Sequence, residues 1–326
     1  MITRRSLAIT LVLLAAIPVV LLLALRMGSV DIGWTGIWHS ITAATAHDAI
    51  IYDLRLPRAL SAFAVGGLLA LSGALLQVLL RNPLADPYIL GISGGAAVAT
   101  LLGMLAGVAG LVLHSLAFGG ALLSMFLVFG LLHRQQSWTP TRLLLTGVIV
   151  AAGWGAVISF ILAVAPGHNL HGMLFWLMGD LAGSSQPYLA LVILATGFIL
   201  SWPLGGSLNR LARGELAAAA LGENPVRLRM QVYVLASLLT ASAITVAGSI
   251  GFVGLIIPHM LRLVGSTDHR ILLPQSVLLG GSFLVLADTL SRTVVAPVQL
   301  PVGVITALIG VPVFLYLMSR KPGNRS

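Results

Sequence analysis

Few residues in this 326-residue chain are of types that do chemistry, and their spacing excludes most of it. There is no cysteine, so neither a disulfide framework nor a thiolate metal site can form. His168 and His171, with Asp180 downstream, are the one grouping that suggests a metal site, and it lacks a third firm ligand. No His-Glu-x-x-His motif and no Ser/His/Asp constellation stands out, which leaves an intramembrane enzyme without support. His259, directly after Pro258, reads as a polar residue near a helix end rather than a haem contact. Met173, Trp176 and Met178 share a helical spacing that suits packing, with substrate contact as the sharper reading. The only lysine is Lys321, so a Gly-x-x-x-x-Gly-Lys-Ser/Thr loop for nucleotide phosphates cannot be built. The expectation is a chain that is not an enzyme and holds no metal or cofactor of its own.

The elements that carry these residues are membrane helices. The chain is 58% hydrophobic and 8% charged, against roughly 25% charged in a soluble domain. A spanning helix needs about 20 apolar residues. The run 7–25 meets that length behind Arg4 and Arg5, and is longer than the core of a cleaved signal. Basic residues mark cytoplasmic loops. Arg4, Arg5, Arg81, Arg134, Arg142, Arg210, Arg213, Arg227, Arg229, Arg262, Arg270, Arg320, Lys321 and Arg325 fall into six such groups. An even number of spans must separate neighbouring groups, and two fit each interval. The spans are 7–25 and 60–80 around a polar outer loop; two within 89–132, turning near Gly107 and Gly110; and 143–165 and 188–202 around an outer segment 166–187. A pair within 230–261, then 271–291 and 302–319, completes an all-α bundle of ten with both termini cytoplasmic. Scattered bases without aromatic interleaving speak for membrane orientation and lipid contact, not nucleic acid.

One interval is too short. The 32 residues of 230–261 must hold two spans and a turn, which need more than about 40. Gly248, Gly251, Gly254 and Pro258 fall in this shortage, so a broken or half-length helix is expected there. Irregular backbone at membrane depth is tolerated inside protein or beside a watery cavity, which makes these four residues the pathway candidates. A kinked packing helix is the plainer reading.

Ion-coupled carriers place ionisable groups in mid-membrane, whereas Asp180 and Asp288 fall near span ends. Any motor is therefore expected on another chain. The longest inner loop, about 205–226, is suited to receive one: an Ala-rich run from Glu215 to Leu221 favours a helix, and Gly222 stops it. Asn224 then caps a new helix with Pro225 at its first position. An ordinary connector satisfies the same features.

Five further segments complete a pattern: Arg55-Leu-Pro-Arg58; Ser72-Gly-Ala-Leu-Leu-Gln77 through Asn82-Pro-Leu-Ala-Asp-Pro87; Gly91-Ile-Ser-Gly-Gly95; Gly248-Ser-Ile-Gly-Phe-Val-Gly-Leu-Ile-Ile-Pro-His259-Met-Leu-Arg262 with Asp268-His-Arg270; and Leu300-Pro-Val-Gly303. Together with the loop, they make the chain resemble the FecCD-type permeases that import iron–siderophore, haem and cobalamin. The resemblance runs over nearly the whole chain.

It implies a single permease domain over 1–326 of type II ABC importer architecture, pairing with itself in the inner membrane of a bacterium. Two ATP-binding subunits, which hold the ATP and magnesium, would dock at Arg213, Glu215, Ala218, Leu221 and Gly222. A periplasmic binding protein would dock through Arg55, Arg58 and Arg292, three of the four bases outside the inner groups. An intrahelical pair of Arg292 with Asp288 fits beside that role. The cytoplasmic gate carries over to Asn82, Pro83, Leu84, Pro140 and Thr141, with helix initiation the simpler role for Pro140. Segments 263–270 and 176–180 lean towards the cobalamin members. An ion-coupled secondary carrier of similar span number is the competing function, and an assembly scaffold a third.

Overall fold

A computed structural model describes residues 4–28, 30, 32–42, 48–134, 139–183 and 186–319. Among these, all regular structure is helical. The helices are α1 (Arg4–Arg26), α2 (Trp34–Thr42), α3 (Leu56–Leu79), α4 (Ile92–Leu105), α5 (Gly110–Arg134), α6 (Pro140–Val164) and α7 (Gly167–Leu177). They continue as α8 (Pro187–Ser201), α9 (Gly205–Ala212), α10 (Glu215–Ala220), α11 (Pro225–Ala247), α12 (Val253–Leu263), α13 (His269–Thr293) and α14 (Val302–Ser319). Seven helical stretches are long and apolar enough to cross a membrane; α4, α12 and α14 are shorter apolar helices. Together they occupy the ten positions that charge parity assigns.

The interval 230–261 resolves as expected. α11 stops at Ala247, Gly248 adopts φ 67°, and α12 begins only at Val253. With eleven residues, α12 is about 16 Å long, half of a bilayer's apolar thickness. The segment 27–59 departs from expectation. In place of a polar loop it holds the apolar α2, below spanning length, and a π-helical turn Ala49–Arg55 that runs into α3. Arg26 stacks over the Trp34 ring at 4.9 Å, which seats α2 against the end of α1.

α3 is the axis of the fold and is buried along nearly its whole length. Lipid tails are as apolar as leucine, so helices associate here by close packing and polar ties rather than by hydrophobic exclusion. A Cβ on Gly66 would lie 2.2 Å from the Gly280 carbonyl oxygen, and one on Gly73 would lie 2.0 Å from that of Gly254. α3 therefore touches α13 and α12 backbone to backbone. Ser72 donates to the Ala236 carbonyl at 2.8 Å and pairs with Thr240 at 2.7 Å, tying α3 to α11. Tyr233 donates to the Met125 carbonyl at 2.8 Å, tying α11 to α5.

Candidate functional site

Four zones carry the residues singled out by sequence. At one face of the bundle, α9 and α10 form a compact block. Gly214 reaches φ 117° to turn the chain between them. Glu223 accepts from Ser207 at 2.8 Å and from Arg210 Nε at 2.7 Å. The Ser207 hydroxyl and then the Arg210 guanidinium hold this carboxyl below its usual range. Asn209 fastens the block to α13: its Nδ2 donates to Asp268 Oδ1 at 2.7 Å, and its Oδ1 accepts from the His269 backbone N–H at 2.9 Å. Asp268 in turn caps α13. The block and the start of α13 are one piece.

Of the proposed coupling residues, Arg213, Leu221 and Gly222 face outward. Ala218 is fully buried and packs α10 onto the bundle, so it offers no surface to a partner. Glu215 pairs with Arg229 at 2.7 Å while its side chain stays 36% exposed. Leu216, which sequence reasoning did not single out, is 89% exposed on α10. Its signal was a leucine within an alanine run on a helix too short to bury two sides.

The turn after α3 is held tightly. Arg81 takes φ 48°, and Asn82 Oδ1 accepts from the Leu84 N–H at 2.9 Å. A Cβ at Gly214 would lie 3.5 Å from the Arg81 guanidinium, so this turn abuts the start of α10. Pro83 is exposed beside it. Pro140 occupies the first turn of α6, capped by Thr139, whose hydroxyl accepts from the Arg142 N–H; Thr141 is exposed. α6 leans on the 3-10 turn Pro87–Leu90 through Gly147, where a Cβ would stand 2.5 Å from the Ile89 carbonyl oxygen.

The break between α11 and α12 sits against two other irregular segments. Asp180 N–H donates to the Ala247 carbonyl at 2.9 Å, and Val302 N–H donates to the Gly179 carbonyl at 3.0 Å. A Cβ at Gly248 would lie 2.3 Å from the Trp176 carbonyl oxygen, and one at Gly303 2.0 Å from that of Met178. Gly254 is equally confined by Pro87 and Leu69, and Pro258 is buried within α12. Gly251 is different: a Cβ there would meet nothing within 4 Å. The four break residues thus divide into three packing positions and one that faces open space. Met173 is fully buried against Val98, Leu101 and Ile161, the packing role. The His171 ring lies 4.4 Å from that of Phe175. Among the described residues, no three His, Asp or Glu side chains gather to hold a metal.

At the opposite face lie Arg55, Arg58 and Arg292, only 5%, 9% and 5% exposed. Arg55 Nη1 donates to the Leu25 and Arg26 carbonyls at 2.6 and 2.7 Å, and its Nη2 to the Val30 carbonyl. Arg58 and Arg292 share Asp288, and Arg58 also donates to Gln299 at 2.9 Å. Arg292 reaches the Ala24 and Met27 carbonyls at 3.4 Å. The last carbonyls of α1 have no partners within that helix and attract cations. Two arginines supply them. These guanidiniums are internal ties of α1, α3 and α13.

Residues 14–320 match the sequence profile of the FecCD transport family. The cobalamin import system permease protein BtuC of Halobacterium salinarum is 39% identical, with 98% of this chain and 90% of that protein covered. The Fe(3+) dicitrate transport system permease protein FecD of Escherichia coli is 36% identical, with 92% and 94% covered. Among solved structures, an inward-facing metal-chelate type ABC transporter superposes with a TM-score of 0.85 at 30% identity, covering 97% of this chain and all of that one.

Proposed function

This chain belongs to the FecCD transport family, and from that premise we propose that it forms, as a pair of copies, the pore of an importer for cobalamin. As an ABC importer permease it is a multi-pass membrane transport component and not itself an enzyme. Two separate ATP-binding subunits drive it, and a periplasmic binding protein delivers the ligand. Both termini then lie in the cytoplasm, with α9 and α10 facing the ATPases.

The observation that carries this reading is the build of the α9–α10 block. It offers Leu216 and Leu221 to a partner while Asn209 and Arg81 link it to α13 and to the gate turn. An exposed apolar pair on a short helix suits a protein contact. A rigid mount lets a push on that contact travel into the membrane, because packed elements shift as units. ATP closure of the partners is thus transmitted to the gate residues Asn82, Pro83, Leu84, Pro140 and Thr141 and to the break around Gly251. At the opposite end, Arg55, Arg58 and Arg292 tie the ends of α1, α3 and α13 into the surface that meets the binding protein.

Cobalamin is favoured by likeness to a cobalamin permease across 98% of the chain. A ferric chelate is the second reading, favoured by the likeness to the dicitrate permease. Proteoliposomes holding the permease, its ATPase and its binding protein test both. ATP-dependent accumulation of cobalamin, uncompeted by ferric siderophores or haem, is expected. Accumulation of a ferric chelate alone replaces the substrate assignment; uphill accumulation by the permease alone under a proton gradient overturns the ABC mechanism.

A further inference from the structure

The irregular segment 248–252 poses a question of backbone chemistry. Where α11 ends and α12 begins, several N–H groups lose helical partners. Gly254 packs on Gly73 and Leu69, well inside the span of α3, so this break is at membrane depth. There, each unsatisfied backbone group is strongly unfavourable. The missing acceptors come from the loop after α3. The Tyr88 hydroxyl accepts from the Ile250 N–H at 2.8 Å and also meets the Ser249 side chain. Asp86 lies beside the Phe252 backbone N–H and caps its own turn by accepting from the Tyr88 N–H at 2.9 Å. Phe252 sits at φ 71°, a strained value for a bulky residue, and is held there from across the sequence.

The grip continues along the same seam. Gln77 Nε2 donates to the Leu255 carbonyl at 3.0 Å and lies 3.3 Å from both the Gly254 and Ala85 carbonyls, bridging loop and helix. A Cβ on Gly254 would stand 2.6 Å from the Pro87 ring, so the two segments are in full contact. At its other end this loop begins at Arg81, beside Gly214 and α10.

We propose that Tyr88, with Asp86, is the latch that makes the 82–90 loop and the broken helix one moving body, and so is a positioning residue for translocation. This rests on the importer reading above and deepens it. A displacement delivered at α10 reaches Arg81, passes along the loop, and is handed by the Tyr88 hydroxyl to the strand of backbone that carries Gly251. Without that hydroxyl, the loop can move while the break stays behind.

The test uses the complete transporter in proteoliposomes. With Tyr88→Phe, binding-protein-stimulated ATP hydrolysis continues while chelate uptake per ATP hydrolysed falls about tenfold, the factor that one buried hydrogen bond carries. An unchanged ratio of uptake to hydrolysis overturns the latch, whether both rates hold or both fall together. A second measurement needs no variant. In the wild-type complex the amides of Ile250 and Phe252 resist hydrogen exchange equally with and without ATP, and rapid exchange of either in one of those states overturns the proposal. A wild-type complex that accumulates no chelate defeats the importer reading instead, and exchange in the purified chain then still decides the latch.

Discussion

Arg58 on α3 and Asp288 on α13 form a forked ion pair, with Nε 2.9 Å and Nη2 2.8 Å from the same carboxylate oxygen. Asp288 is 1% exposed and serves Arg292 as well, at 3.1 Å. One carboxylate therefore holds together two guanidiniums that would otherwise repel. Breaking a buried pair from one side leaves uncompensated charge, which is far more damaging than losing both partners.

Asp288→Asn is expected to destabilise the chain by about 3 kcal/mol. Arg58→Met leaves Asp288 paired with Arg292 and should lose no more than about 2 kcal/mol, the worth of hydrogen bonds to a charged group. Thermal unfolding in detergent micelles gives the order. Equal losses would mean that Asp288 does not mediate between the two arginines.

The Glu223 tie of the α9–α10 block has a definite pH dependence. Its carboxyl is held below the ordinary value of 4.5 in the folded chain by Ser207 and Arg210. A depressed folded pKa contributes stability that is fully present above the unfolded pKa and disappears as pH falls through the folded one. Protection of amides in 205–223, corrected for intrinsic exchange, should thus be level from about pH 8 to about pH 5 and drop at lower pH. Glu223→Gln should show the reduced protection already at neutral pH, and a pH-independent profile in the wild type would exclude this tie.

Leu216 tests the coupling surface with little risk to the fold, because an 89% exposed side chain makes few internal contacts. Leu216→Asp should shift stability by no more than about 0.5 kcal/mol, yet prevent co-purification with the ATPase subunit. Ala218→Leu should do the reverse, since position 218 is fully buried: the chain is destabilised by overpacking. Retained ATPase binding by the aspartate variant would move the docking surface elsewhere.

The membrane makes part of this architecture legible and hides the rest. Hydrocarbon thickness sets a helix length, so 7–25 resolves within α1 and the shortage of 230–261 becomes the break at 248–252. α2 lies below spanning length and leaves no such mark. Asp288 and Arg292 stand four apart and are readable as a pair, whereas Arg58 finds Asp288 across 230 residues. Arg55 bonds backbone carbonyls at the end of α1, and carbonyls carry no sequence signature. Tyr88 is as hard to read, since its hydroxyl accepts from the N–H of Ile250. Burial of Ala218 beside exposed Leu216 was hidden because a six-residue helix is too short for periodicity to show its faces.

The glycines of the break differ in the room around them. Gly254 has no room, because an added Cβ would meet the Pro87 ring at 2.6 Å and the Leu69 carbonyl at 2.9 Å. Backbone atoms cannot step aside as a flexible side chain does, so Gly254→Ala should force α12 away from α3 and lower stability by about 1–3 kcal/mol. Gly251 has open space around it. Gly251→Leu should therefore assemble with near wild-type thermal stability while slowing uptake in proteoliposomes, because a large side chain then stands where the chelate would pass. Wild-type uptake by this variant would mean that the space at Gly251 belongs to lipid or to a packing gap, and that the pathway runs elsewhere.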